Sequence, residues 1–528
     1  MHKLLGGVAC AAVLAVSSSA FAADSAEMAE IRQMIEGLKG DYESRIRALE
    51  SRVSAAERRA AAAEARAERL AATVGTKAEV AAQPMTTPPV VHSAPAPAAG
   101  TVSSGIAFNP QISVILDGNY YHDGVDGRGD ALAGQAFQPS ASGREHDHDH
   151  DHGNAHASMD NGFNFREAEI AFSATVDPYF DAFAYLAVDG DGNLDLEEGY
   201  FQTRSLPKGL RVKGGKFLSD FGYINRQHPH QWDFADQNLA YLNLLGDHGL
   251  QDTGLQLTWL PELPVYTLLG VELLQGDQER FGVTLGGDEQ REYGLDSTDD
   301  GPRLFTVFAK LGPDLGPDHA LQLGLSYAHA RQHQELHTHT HHKDEGDDHH
   351  DHGHHHDDHD HDHDHDLVVH TNGLDGDADL WGLDVVYKYD GRGDYGHRDF
   401  RFQAEYLRAI KDLKVKSSAH PEAIGSSRKF TTDGLYAQAI YGFAPKWTAG
   451  VRYDVLGLTN EVSGGKRADF GSSDRWSFDV TWNLTEFSRL RAQYNHSNIL
   501  VTENERERFD TFWLQFIMSL GAHGAHSF

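Results

Sequence analysis

Histidine and aspartate alternate at two places in this chain, a pattern suited to holding metal ions. The first run is His146-Asp147-His148-Asp149-His150-Asp151-His152, within a segment of about 144–156. The second covers about 333–370 and includes His339, His341, His342, His349, His350, His352, His354, His355, His356, His359, His361, His363 and His365. Neutral imidazole is a good ligand for Zn²⁺, Cu²⁺ and Ni²⁺. The interleaved carboxylates complete the coordination or hold the second ring N–H of a ligating histidine. A chain of such ligands without fixed geometry binds several ions loosely and releases them as imidazole protonates near about pH 6. Zinc is the expected ion, with copper and nickel open; no organic cofactor is expected.

A more compact set lies in Gln227-His228-Pro229-His230-Gln231-Trp232-Asp233. His228, His230 and Asp233 are expected to form a transient metal site, with Asp247 and His248 nearby. Asp189-Gly190-Asp191-Gly192-Asn193-Leu194-Asp195 echoes a calcium loop, but Tyr200 stands where the bidentate Glu belongs, so a Gly-rich hairpin is expected. No catalytic constellation is present, and an enzyme is not expected.

The elements that position these groups read as strands. From Ile106 onward, sixteen segments of about ten residues alternate apolar and polar side chains. Their joints run short and long in turn. Asp177-Pro178-Tyr179, Leu206-Pro207-Lys208-Gly209, Pro261-Glu262-Leu263-Pro264 and Ala444-Pro445 are short, whereas 123–161, 218–249, 276–301 and 331–378 are long. That rhythm predicts an all-β chain: a sixteen-stranded antiparallel transmembrane barrel with tight turns on one side and long extracellular loops on the other. Both His/Asp runs then share one face of the membrane. A large soluble β-sandwich or β-helix would not require the regular rhythm.

Parity assigns faces. Phe512, Leu514, Phe516 and Met518 fall on the lipid side, with Thr511 and Gln515 on the lumen side. Lys213, Arg401, Glu405, Arg452, Asp454 and Arg491 are expected to line the pore. Glu167, Glu169, Asp384 and Lys388 share their parity. Tyr120, Tyr121, Tyr179, Phe180, Trp259, Trp447, Trp482 and Phe487 lie near strand ends, as interfacial girdles require.

The remainder bounds the compartment. Residues 1–22 read as a secretory signal with a small-x-small cleavage pattern, Ala20-Phe21-Ala22, and Cys10 falls inside it. Residues 23–80 carry an apolar stripe at steps of three and four, including Ile31, Ile35, Leu38, Tyr42, Ile46 and Leu49, which predicts an α-helical coiled coil. The Pro/Ala-rich stretch 81–104 reads as a linker to a barrel over 105–528. The formal net charge is −34. Fourteen acidic side chains against one lysine lie in 335–377, and four more acids lie in 145–152. Nucleic acid is disfavoured as a partner, because phosphate binding needs a basic footprint.

Several pieces resemble the phosphate-selective porin O/P family. They are Gly215-Lys216-Phe217 with Phe221-Gly222, then Asp252-Thr253-Gly254-Leu255-Gln256-Leu257, and the coiled-coil arm before the barrel. The resemblance implies a trimeric sixteen-stranded porin in the bacterial outer membrane, with its N-terminal arm in the periplasm. The family's anion specificity is not implied, because no dense ladder of Arg and Lys is present. The His-rich loops resemble those of zinc-responsive outer-membrane receptors. The expected function is a passive channel for small solutes, above all divalent metal ions. A TonB-dependent zinc receptor and a barrel-anchored surface metal scavenger or sensor are the alternatives.

Overall fold

The computed structural model describes residues 111–140, 159–342, 367–464 and 467–521. The signal sequence, coiled coil, linker, first His/Asp run and residues 343–366 lie outside them. Sixteen strands of nine residues or longer, from β1 (Gln111–Asp123) to β16 (Arg506–Gly521), form one antiparallel sheet. The two-residue piece Ala468–Asp469 is a minor addition to one of its loops. β1 pairs with β2 (Gly162–Thr175) on one side and with β16 on the other, Tyr120 opposite Leu514, so the sheet closes. Closure leaves no unpaired edge, the condition for crossing a bilayer with strands.

The period-two pattern determines which face meets lipid. On β16, Phe512, Leu514 and Phe516 are exposed, while Thr511, Trp513 and Gln515 between them are buried. Leu255, Leu257, Val271, Leu273, Leu325 and Leu383 continue the outward apolar band. Trp447 and Trp482 stack near the short turns, with ring centroids 5.4 Å apart. Tyr121 departs from the expected girdle. It lies on the opposite parity from Tyr120, is fully buried, and packs edge-on against Trp513 inside the barrel.

In the segment expected as a long loop over 331–378, the described residues 331–342 and 367–378 are strand. β9 (His319–His342) and β10 (Leu367–Tyr389) have 24 and 23 residues. At about 3.3 Å per residue such strands extend far beyond the roughly ten residues needed to cross a bilayer. Backbone pairing continues outside the membrane, with His339 opposite His370. The joint 189–193 is short although it lies on the long-loop side. There Asp189 Oδ1 accepts N–H bonds of 2.9 Å from Asp191 and Asn193, closing the Gly-rich hairpin.

The loop over 219–250, between β5 (Leu210–Leu218) and β6 (Gln251–Trp259), turns inward and fills much of the lumen. Its helix α1 (Leu239–Leu244) begins at Asn238, whose side chain accepts the Tyr241 N–H at 3.0 Å. Leu239, Tyr241 and Leu244 are buried with Phe217, Phe221, Leu407 and Tyr436. Full burial of such side chains stabilises by roughly 1.5–3 kcal/mol each.

A charged clamp holds the same loop from the opposite wall. Asp236 receives Arg452 at 2.7 Å and Arg475 at 2.8 Å, and both guanidiniums also bond Asp454 at 3.0 Å. Burial works against the Asp236 charge, but Arg452 and Arg475 outweigh it and hold its carboxyl down to about 2. Its contribution is therefore complete above the ordinary carboxylate pKa and is lost as pH falls from about 4 through about 2, on the order of 2 kcal/mol. Single-channel conductance is expected to rise across that window as the loop loosens. Conductance unchanged down to pH ~2 would refute the clamp's role.

Candidate metal centre at the inner constriction

His228 and His230 flank Pro229 at a 3₁₀ turn, Pro229–Gln231, of the inward loop. The turn presses both rings against the barrel wall formed by β2, β3 (Phe180–Val188) and β4 (Leu194–Thr203). Glu167 and Glu169 are two apart on β2 and so share the inward face. Glu197 and Glu198 are adjacent on β4, yet both are buried. A bulge explains this: Tyr185 pairs with Glu198 and Leu186 with Leu196, leaving Glu197 as the extra residue that turns in beside its neighbour.

The donor atoms converge. His228 Nδ1 lies 3.3 Å from Glu169 Oε2 and 3.2 Å from Glu197 Oε2. Its Nε2–H donates to Glu198 Oε1 at 2.9 Å, and its ring stacks on Tyr185. His230 Nδ1 lies 3.1 Å from the same Glu169 oxygen. Two overlapping trios result, Glu169–Glu197–His228 and Glu167–Glu169–His230, each with donor atoms within 4.8 Å of one another. Ligands about 2.1 Å from one tetrahedral ion stand roughly 3.4 Å apart, close to these spacings. Glu198 on the far ring nitrogen matches the carboxylate that orients a metal-bound histidine.

His228 belongs to a connecting loop rather than a spanning strand. Burial alone would lower its pKa, but the Glu169, Glu197 and Glu198 carboxylates outweigh burial and raise it well above the usual histidine value. A proton and a metal ion compete for this centre.

Three cavities with shared lining residues lie around it. The inner one, about 630 Å³, opens among the short turns and is lined by Glu169, Glu198, His228 and His230, with Lys213 and Arg226. The outer one, about 910 Å³, lies among the long loops and carries Asp130, Asp247, His248, Asp252, Asp277 and Glu279. A neck of about 30 Å³ shares His228 with the first and Asp247 and His248 with the second. That is room for one or two water-sized particles.

No family model matches the chain. An uncharacterized protein of Aquifex aeolicus strain VF5 is 32% identical over 425 residues, covering 80% of each chain. The chain belongs to this protein's family. Solved structures with similar coordinates include the outer membrane channel DcaP of Acinetobacter baumannii, at 12% identity, covering 78% of this chain and 96% of that one, with a TM-score of 0.44. OmpT of Vibrio cholerae in a trimer form is 10% identical, covers 78% and 99%, and gives 0.43. The anion-selective porin of Comamonas acidovorans is 10% identical, covers 78% and 99%, and gives 0.42. The closed barrel and its apolar outer band give this family member the architecture of an outer-membrane β-barrel protein.

Asp233 does not join His228 and His230. The chain turns extended at Trp232, and Asp233 crosses to the far wall, where Arg401 and Gln438 bind it, the latter at 3.0 Å. Asp247 and His248 sit on the outer side of the neck, with His248 Nε2 3.5 Å from Glu279. Of the expected pore-lining residues, Lys213 borders the inner cavity. Glu405, Arg452 and Arg491 face inward but are covered by the loop: Glu405 accepts the Tyr223 and Ile224 N–H groups, and Arg452 and Arg491 donate to the Asp236 and Trp232 carbonyls. Asp454 serves the clamp from beneath. In the second His/Asp run, His333 is structural: its Nδ1 accepts the Gly282 N–H at 3.1 Å, so its Nε2–H donates to Glu335 at 2.8 Å. His339, His341 and His342 belong to the β9 backbone. His337 meets Phe430 edge-on and His370 meets His420. The histidines of the first run and those over 349–365 lie outside the described residues.

Proposed function

We propose that this protein is a passive outer-membrane channel for divalent transition-metal ions, zinc first among them. One observation carries the reading: two imidazoles and four buried carboxylates converge inside the barrel beside a cavity of about 30 Å³, at spacings suited to a small cation. An anion meeting that group would be repelled, so the phosphate selectivity of the family it resembles in layout is not carried over. The acidic outer cavity and the His/Asp runs at 144–156 and 333–370 raise the local cation concentration and hold zinc, copper or nickel loosely. The barrel wall and the coiled coil over 23–80 assemble three copies, with the arm in the periplasm.

The small neck also favours a second reading, a barrel-anchored scavenger that holds metal without passing it. Flux into liposomes loaded with a zinc-sensitive dye separates the two. Zinc influx is expected while a hexose is excluded, and deleting 343–366 is expected to slow influx at low zinc but not at saturating zinc. No influx through properly closed barrels would reject the channel in favour of the scavenger.

A further inference from the structure

Glu169 belongs to both trios, and the centre offers more donors than one four-coordinate ion uses. The same Glu169 oxygen faces His228 Nδ1 at 3.3 Å and His230 Nδ1 at 3.1 Å. Beyond it, Glu197 completes one trio and Glu167 the other. The imidazole rings stand nearly parallel with centroids 5.8 Å apart, so each trio has its own imidazole and its own place for an ion. A shared carboxylate between two such places is the arrangement of two-metal sites, whose ions are about 3.5–4 Å apart.

Charge argues in the same direction. Four carboxylates, Glu167, Glu169, Glu197 and Glu198, are buried together. Arg166 and Arg489 adjoin them, and Asp117, 3.9 Å from Arg166, offsets one of the two guanidiniums. With the imidazoles neutral and the carboxylates ionised, as metal ligation requires, three negative charges remain. One dication leaves the centre negative and still attractive to another. A second makes it positive, so one ion is driven out.

We infer that the centre holds two divalent cations side by side, bridged by Glu169, and that arrival of the second releases the first towards the periplasm. The inference rests on the metal-channel reading and deepens it. A site strong enough to select an ion would trap it, and mutual repulsion of neighbouring ions is the general way such sites conduct. The outer cavity supplies the incoming ion through the neck, which His228 borders; His230 faces the inner cavity, where the outgoing ion leaves.

Zinc-edge anomalous diffraction from crystals of the full-length protein, equilibrated at graded zinc, counts the ions directly. One peak is expected at low zinc and two at high zinc, about 3.5–4 Å apart on either side of Glu169. His230→Ala should retain only the peak at His228, and its zinc current should change from a two-phase to a single-phase dependence on concentration. Gel mobility before and after heating verifies barrel closure in the variant. A single peak at every concentration overturns the two-ion inference and leaves the metal-channel reading standing. No peak at this centre rejects that reading itself.

Discussion

Glu405→Ala will raise single-channel conductance several-fold while leaving the barrel closed. Glu405 on β11 (Phe400–Ser417) is the acceptor on which the inward loop is anchored. It takes the Tyr223 N–H at 2.8 Å, the Ile224 N–H at 2.9 Å and the Tyr241 hydroxyl at 2.7 Å, and also binds the Tyr436 hydroxyl. Gly222 begins this anchor at φ +64°, and a side chain there would strike Tyr241 and Glu405. Removing the carboxylate strands two buried N–H groups and two buried hydroxyls, a cost on the order of 3–5 kcal/mol. That cost falls on the loop and not on the strands, whose backbone pairing is untouched. Sixteen strands enclose an aqueous channel when nothing fills it, so a displaced loop exchanges a neck of about 30 Å³ for a wide lumen. Glu405→Gln keeps an acceptor and should open the channel less. Unaltered conductance in Glu405→Ala, with the barrel intact, would mean that the clamp at Asp236 holds the loop unaided.

The strand count and the faces of β16 were legible, because a bilayer imposes period-two alternation and turn asymmetry on the sequence itself. The convergence at the centre was legible only in part. His228 and His230 stand out by composition, and Glu167 and Glu169 by parity. Glu197 and Glu198 were hidden, because adjacent residues on a regular strand point to opposite faces; only the bulge at Glu197 brings both inward. Asp233 misled for the opposite reason. Three residues from His230 it is near in sequence, but the extended backbone at Trp232 sends it to Arg401 across the lumen. Inward-facing charges such as Glu405 and Arg452 have the parity of pore-lining residues. Nothing in their own strands reveals that a loop nearly two hundred residues away covers them.

The second large effect concerns metal affinity, and it separates coordination from electrostatic attraction. His228→Ala removes the ring whose Nδ1 faces Glu169 and Glu197. It should weaken zinc binding at the inner constriction by about 100-fold or more, at least the upper end of what loss of an orienting partner costs. Glu198→Gln keeps the ring and its surroundings but weakens the acceptor of the Nε2–H, 2.9 Å away. Losing an orienting carboxylate costs about 10–100-fold, so this variant should fall between wild type and His228→Ala. If the group attracted cations only through its net charge, the order would reverse, because Glu198→Gln removes a full negative charge, whereas His228→Ala removes no negative charge at all. Such an ion atmosphere would also weaken strongly between about 0.1 and 1 M salt, as the Debye length shortens from ~10 to ~3 Å, whereas direct ligation would persist. Zinc block of single-channel current in the two variants at both salt concentrations reads the order and the screening together. Greater loss in Glu198→Gln, screened by salt, would replace a coordination site at His228 with a diffuse acidic trap.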